Sequence, residues 1–271
     1  RLDDLDRQVL AGLPDGLPGA DPVGWWATSR RAALARLGHF VDEVLPGFGP
    51  HEDAMTTRSW HLAHSLLSPA LNLGLLLPDE VCDRVEEAYR AGRVPLNSAE
   101  GFVRQVIGWR EFVWGIHWLW PDQWDANELG ADRPLPPAWA DGAPTDLACL
   151  AHTLEGLDGR GWVHHIQRLM VLSNLATLLG LDPATVRDWM RERYGDGADW
   201  VMGPNVMGMG LYADGGRMST KPYVSGGAYI NRMSDYCGDC RFDPRQRTGE
   251  RACPFTTLYW DFLDRHSDRF A

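Results

Sequence analysis

Cys237, Cys240 and Cys253 are spaced C-x2-C-x12-C, and Pro254 follows the last of them. A C-x2-C pair can place two thiolates on one metal, and soft thiolates select zinc or iron–sulfur clusters. Three cysteines do not close a tetrahedral site. The other two in the chain are Cys82, in an amphipathic stretch among charges, and Cys149, in DLACLAH. An all-sulfur site takes one of these two as its fourth ligand. A zinc ribbon brings two C-x2-C pairs. A four-cysteine iron–sulfur cluster suits one pair, a C-P and a distant cysteine at least as well. Structural thiols without metal are the blander alternative, and the spacing disfavours it.

A second group is His164-His165-Ile166-Gln167-Arg168, set in an otherwise apolar helical stretch. A lone histidine there is more often a satisfied core residue. Two beside an arginine point to a site, and positions 165 and 168 share one helix face. A third group is His64-Ser65-Leu66-Leu67-Ser68-Pro69. Hydroxyls at a helix N-terminus bind phosphate through free N–H groups and the helix dipole. Ordinary N-capping would account for Ser68 but not Ser65. The segment from Tyr194 to Met209 carries Asp196, Asp199, Trp200, Pro204 and Asn205. By itself it reads as a surface connection.

The elements that must hold these groups are helical. Apolar periodicity predicts helices over 25–45, 55–66, 78–91, 98–120, 145–154, 161–179, 183–193 and 255–270, with a short one at the start of the chain. Ser68 is expected as an N-cap with Pro69 at the first helical position. The 98–120 stretch is apolar on more than one side and is expected to be buried, so Arg104, Arg110 and Glu111 need partners. Residues 195–227 read as a long glycine- and methionine-rich loop. No βαβ pattern or internal repeat stands out, so the class is all-α.

Composition narrows the function. With 37 acidic against 26 basic residues the net charge is -11, which argues against non-specific polyanion binding. A local basic patch at Arg241, Arg245, Arg247 and Arg251 is the exception to weigh, diluted by Asp243 and Glu250. Most of the 13 tryptophans are expected to fill the core. No apolar run is long enough to cross a membrane and no signal peptide stands at the start. Five cysteines imply no disulfide framework, so a reducing, cytoplasmic setting is expected.

The chain resembles the photolyase/cryptochrome superfamily, and within it the bacterial iron–sulfur cryptochromes and photolyases, including the prokaryotic (6-4) photolyases. The carrying motifs are FGPHEDAM (48–55), HSLLSPALNLGLLLP (64–78), EGFVRQVIGWREFV (100–113), GWVHHIQRLMVLSN (161–174), WVMGPNVMGM (200–209), DGGRMSTKPYVSGGAYINRMSDYC (214–237) and the run from Cys237 through ACPFTTLYWDFLDRH. The resemblance implies a helical FAD-binding catalytic domain over residues 1–271, with a cluster-binding segment at 229–260. It also implies an α/β antenna domain upstream, with an antenna chromophore belonging to that domain.

Cys149, Cys237, Cys240 and Cys253 would then hold a 4Fe–4S cluster, with Cys82 left out. His64, Ser65, Leu67 and Ser68 fall on the flavin-phosphate motif, with His64 in place of its threonine. Arg110 falls on a pyrophosphate-binding arginine, and Arg168 on one that pairs with a flavin-side aspartate, Asp196. Gln105, Met202 and Asn205 complete the implied cofactor set. His165, with His164 beside it, falls on the histidine that gives a proton to the lesion. Trp189 falls on a tryptophan of the photoreduction path. The pattern departs at His51, Met190, Met202 and Asp141. The implied activity is blue-light repair of pyrimidine–pyrimidone (6-4) photoproducts in UV-damaged DNA, by electron transfer from reduced FAD in a monomer. A photoreceptor that signals without repair is the alternative, and a zinc-bound helical module without flavin is a third reading.

Overall fold

The computed structural model describes residues 2–17, 19–20 and 24–270. Among them the regular structure is helical, and the only strand-like contacts are isolated bridges between Arg133 and Leu181 and between Asp243 and Ala252. The all-α expectation holds.

Helix α1 (Asp4–Ala11) is closed by a reciprocal capping box between Asp3 and Asp6, and it buries none of its residues. Helix α2 (Arg30–His39) starts where the Ser29 hydroxyl accepts from the Ala32 N–H. The expected start at Trp25 is corrected, because Trp25 and Trp26 instead pack edge-on against Trp60.

The helix expected over 55–66 is absent. Leu62 and Leu66 take φ values of 46° and 59°, which a continuous helix excludes. Thr56 and Thr57 are tied to the distant Asp235, so this segment finds its hydrogen bonds across the fold. Helix α3 (Ser68–Asn72) follows. Leu67 is its N-cap and Ser68 its first residue, so the capping role expected of Ser68 is corrected.

Helix α4 (Pro78–Arg90) matches its pattern. Pro78 sits at the first position, Glu80 accepts from the Leu77 N–H, and Val81, Cys82, Val85 and Ala88 are buried. Next, Leu96–Val103 and Arg110–Leu119 join through wider π-type turns at Arg104–Trp109 into one rod, α5 (96–119). The expectation that it is buried all round is corrected. Phe102, Val106, Val113 and Ile116 face inward, whereas Trp118 and Leu119 are 65% and 76% exposed, and Trp109 and Trp114 are open too. Arg104 is paired with Glu100 on the surface.

Helix α6 (Ala148–Arg160) ends at Gly161, whose φ of 62° needs a glycine. Residues 161–164 therefore lie outside the helices, and α7 (165–179) begins later than its periodicity suggests. It passes through π-type turns at Gln167–Ser173. Helix α8 (Pro183–Arg193) is capped by Asp182, which accepts from the Thr185 N–H.

The presumed loop at 195–227 contains α9 (Asp199–Met202) and a buried π-type run at Gly203–Gly210. Close packing explains its glycines: a Cβ at Gly208 would lie 2.6 Å from Gln123 and 2.7 Å from Met218. Helix α10 (Gly227–Met233), an irregular cysteine loop and α11 (Pro254–Arg265) complete the frame.

Two apolar cores organise these elements. One gathers Leu37, Phe40, Leu45, Leu76, Val81 and Phe102. The other gathers Trp139, Leu157, Leu172, Leu178, Met207, Phe255 and Phe262. Each fully buried side chain of this size contributes roughly 1.5–3 kcal/mol. Of the 13 tryptophans, Trp139, Trp162 and Trp189 are buried while Trp25, Trp109, Trp114, Trp118 and Trp260 are exposed. The core-filling expectation is corrected for those five.

Candidate functional site

The two cores meet at a knot of polar side chains. Asp196 is 5% exposed and accepts from both arms of Arg168, at 2.9 Å and 3.0 Å. Ser68 Oγ donates to the same carboxylate at 2.7 Å, and Asn72 Nδ2 donates to the Asp196 carbonyl. Arg168 Nε donates to the Val163 carbonyl, and its guanidinium lies over the Tyr194 ring at 4.0 Å. Trp162 Nε1 reaches Ser68 Oγ at 3.4 Å.

Burial works against the charge on Asp196, but the Arg168 cation and the donated hydrogen bonds outweigh it and hold its pKa below the usual carboxylate range. Arg168 stays charged for the reciprocal reason: burial opposes its charge and Asp196 more than restores it. A buried pair is kept ionised only where donors satisfy it this fully.

Histidines line the adjoining cleft. His64 stacks flat on His164, with ring centroids 4.4 Å apart and planes 15° from parallel. Burial, the neighbouring His165 and His61 and the Arg168 cation push the His64 pKa down to about 4, against the His61 carbonyl bond. His164 is 1% exposed, held well below its ordinary pKa by burial and by His64. Its Nδ1 is buried without a partner. His165 is different. Surrounding protein mass and then Arg168 lower its pKa, yet its ring remains open to solvent.

The phosphate-type motif has a feature that sequence could not show. Leu66, buried, takes the left-handed φ of 59°, a conformation costing on the order of 1 kcal/mol or more for a non-glycine residue. Such strain persists where the surrounding structure over-determines it and clusters at ligand clamps. Ser65 Oγ accepts from the Leu67 N–H at 3.3 Å within this bend.

The remaining predicted residues lie elsewhere. Gln105 donates to Glu52 Oε1 at 3.0 Å, and burial raises the Glu52 pKa. Arg110 stacks over Trp200 at 4.7 Å and meets an acid only at 3.7 Å, on Glu111. Met202 is buried, and Asn205 Nδ2 donates to the Val201 carbonyl. Trp189 lies in the core against Trp139, with centroids 5.0 Å apart, and donates its N–H to the Trp139 carbonyl. Sequence reasoning gave no site role to Trp162, Asn72 or Tyr194, and read Trp200 only as part of a surface connection. Trp162 and Tyr194 stand two residues from His164 and Asp196, which is the only signal sequence offered for them.

A separate cavity is lined by Cys149, Cys237, Cys240 and Cys253 together with Leu147, Ile230, Tyr236, Phe242 and Phe255. Cys82 packs in the other core. Burial and the neighbouring cysteines push the Cys149 and Cys237 thiols up, Cys237 to about 11. Among the described residues no three His, Cys, Asp or Glu side chains converge on a single-ion site. Four sulfurs thus line one cavity, the soft donors that suit zinc or an iron–sulfur cluster.

Comparison with known proteins follows this geometry. No family model matches the chain. A (6-4) photolyase of Agrobacterium fabrum is 47% identical over 272 residues, covering 98% of this chain and 53% of that protein. An uncharacterised protein of Acanthamoeba polyphaga mimivirus is 35% identical over 101 residues, 37% of this chain and 75% of its own length. Among solved structures, a bacterial class III photolyase from Agrobacterium tumefaciens superposes with a TM-score of 0.63 at 20% identity, over 90% of this chain and 56% of that one. A Synechocystis cryptochrome gives a TM-score of 0.57 at 20% identity, over 72% and 42%.

The fold is thus that of the helical domain of photolyases and cryptochromes. The chain belongs to the photolyase/cryptochrome family. It spans about half the length of the (6-4) photolyase it matches.

Proposed function

We propose that the chain is the helical FAD-binding, catalytic part of a DNA photolyase acting on (6-4) photoproducts. The observation that carries the reading is the buried Ser68–Asp196–Arg168 knot beside the stacked His64–His164 pair, in a chain 47% identical to a (6-4) photolyase. The left-handed bend at Leu66, the unpartnered His164 Nδ1 and the weakly paired Arg110 fit a bound polar cofactor. Ser65, Leu67, Ser68 and Arg110 would hold its phosphates, and Gln105, Arg168, Asp196, Met202 and Asn205 would set its surroundings. Bound FAD supplies the light-driven electron.

The chain's own residues do the rest. Ser68 and Asn72, donating to Asp196, tie the two cores together, and Arg168 holds that carboxylate in place. His165 presents its open ring to a flipped nucleotide. Its pKa is lowered in the free protein, and an arriving phosphodiester raises an adjacent histidine's pKa. DNA binding would thereby charge the residue that must give a proton. Trp189, stacked on Trp139, would stand on the route that restores the reduced cofactor.

We further propose that segment 229–260 with Cys149 holds a 4Fe–4S cluster, which supports the fold of the C-terminal elements. Five cysteines without a disulfide suit the reducing cytoplasm. Arg241, Arg245, Arg247 and Arg251 lie within this segment. Arg241 is already paired with Asp146, and Arg247 lies over Trp260.

The test is an absorption spectrum of the purified protein followed by blue-light repair of a duplex carrying one (6-4) lesion. Flavin absorption and restored thymines are expected, with repair lost in His165→Ala. Flavin without repair would leave the photoreceptor reading, and absence of flavin would end both.

A further inference from the structure

A run of tryptophans joins the seam to the surface. Trp162 is 5% exposed. Its Nε1 reaches Ser68 Oγ at 3.4 Å, and the Arg168 guanidinium lies over its ring at 5.6 Å. It therefore touches the Ser68–Asp196–Arg168 knot. Trp60 packs against Trp162 with ring centroids 5.6 Å apart, and Trp26 does so at 5.9 Å. Trp60 in turn meets Trp25 at 5.1 Å and Trp26 at 6.2 Å. Trp25 is 41% exposed. Ring centroids about 4.5–7 Å apart mean rings in contact, so these indoles form an unbroken path from the buried knot to water. None of the four is among the side chains of either apolar core.

The Trp189–Trp139 pair is built differently. The two rings are 7% and 1% exposed, and among the described residues no third ring stacks on Trp139. That pair ends inside the molecule, out of reach of a soluble partner. The path from Trp162 ends where such a partner can meet it. Electron exchange falls steeply with distance, so rings in contact exchange far faster than rings separated by another side chain.

The cations give the path a direction. Arg168 lies over Trp162, and Arg160 lies over Trp60 at 4.9 Å. A ring that has lost an electron is positive, and a guanidinium over its face opposes that charge. At the outer end Arg36 donates to the Trp25 carbonyl. Water there stabilises a charge that burial would oppose. Trp26 is held on the side of the path by its Nε1, which donates to the Arg160 carbonyl at 3.3 Å. A positive charge formed on Trp162 is thus drawn outward to Trp25.

We propose that Trp162, Trp60 and Trp25, with Trp26 as a side branch, form an electron relay between the surface and the seam, separate from Trp189 and Trp139. The relay rests on the reading that the seam holds FAD. Trp162 gives one electron to the photoexcited oxidised flavin, Trp60 refills Trp162, and Trp25 refills Trp60. Trp25 is left one electron short and loses its indole N–H proton to water. A soluble thiol returns one electron and one proton to Trp25, and two thiols so oxidised join as a disulfide.

The full chain, purified with its flavin, is illuminated with blue light in air without thiol. Tryptophans that have gained oxygen are located by peptide mass spectrometry, with bound flavin and the thermal midpoint measured alongside. Dark samples set the background, and Trp260, outside the relay and 46% exposed, reports random photo-oxidation. The parent is expected to be oxidised at Trp25 above the level of Trp260, and added thiol should suppress that mark. Trp60→Phe should lose the Trp25 mark with Trp260 unchanged and flavin retained, whereas Trp189→Phe should keep it. An equal Trp25 mark in Trp60→Phe, or its disappearance in Trp189→Phe, would overturn the proposal. So would light-dependent oxidation confined to Trp118, the end of a row that starts at Trp200 and passes through Trp114. Should Trp60→Phe unfold, the surface variant Trp25→Phe decides: the relay requires slower photoreduction of its flavin by thiol, and an unchanged rate would overturn it. A parent without flavin would end the FAD reading and the relay together, whereas bound flavin with no mark on Trp25 would end the relay alone.

Discussion

At the scale of single residues, the knot at Asp196 has an asymmetry worth testing. Asp196 and Arg168 are both largely removed from water, so taking away one charge strands the other. Asp196→Asn is expected to cost about 3–5 kcal/mol in chemical denaturation. Flavin retention should fall with it. Arg168→Lys is no remedy, because an ammonium cannot span both carboxylate oxygens.

His64 makes a second prediction. Its folded pKa of about 4 lies below the unfolded value of 6.5. Between those values the unfolded chain binds the proton and the folded one does not. The stability is therefore full above about pH 6.5 and declines as pH falls toward 4, by up to about 3 kcal/mol. Denaturation midpoints measured across that window should drop in the parent and drop less in His64→Thr. An equal drop in both would remove His64 from the account.

Among the elements, the start of α10 is packed closely against the cysteine loop. A Cβ on Gly227 would lie 2.7 Å from Cys253 Sγ and 3.1 Å from Pro244 and Thr256. The Gly227 N–H donates to Thr256 Oγ1, and Thr256 in turn donates to the Pro244 carbonyl. Gly227→Ala must therefore displace a cavity-lining sulfur or the start of α11. We expect a loss of about 1–3 kcal/mol, with bound iron per chain reduced more than helicity by circular dichroism. Normal iron with normal stability would show that the cysteine loop yields freely.

Across the whole molecule, the candidate site is a seam. Ser68 and Asn72 come from the side of one core, and Arg168 and Asp196 from the other. A ligand bound at this seam stabilises the folded state by mass action, about 2.7 kcal/mol at a hundredfold excess over its dissociation constant. Stripping flavin should lower the denaturation midpoint, and adding FAD back should restore it. Flavin-independent stability would mean that the knot alone holds the cores together.

What could be read in advance, and what could not, divides along a physical line. The helical class and the spans of α4 and α8 were legible, and the cysteine spacing, the histidine pair and HSLLSP marked out the candidate site. Each is local, set by apolar periodicity, a cap or a ligand spacing within a few residues. The family was legible for the same reason, since its motifs are short and contiguous. Tertiary structure alone decided the rest. It removed the helix at 55–66, because Leu62 and Leu66 are left-handed and Thr56 and Thr57 bond across 178 or more positions to Asp235. It turned Ser68 from a cap into a donor to Asp196, opened one side of α5 and folded the glycine-rich segment into the core. It brought Cys149 rather than Cys82 to the other cysteines. A chain carries no local mark of which partner will meet a hydroxyl or a thiol from far along its length, since that choice is made by how the two cores close on one another.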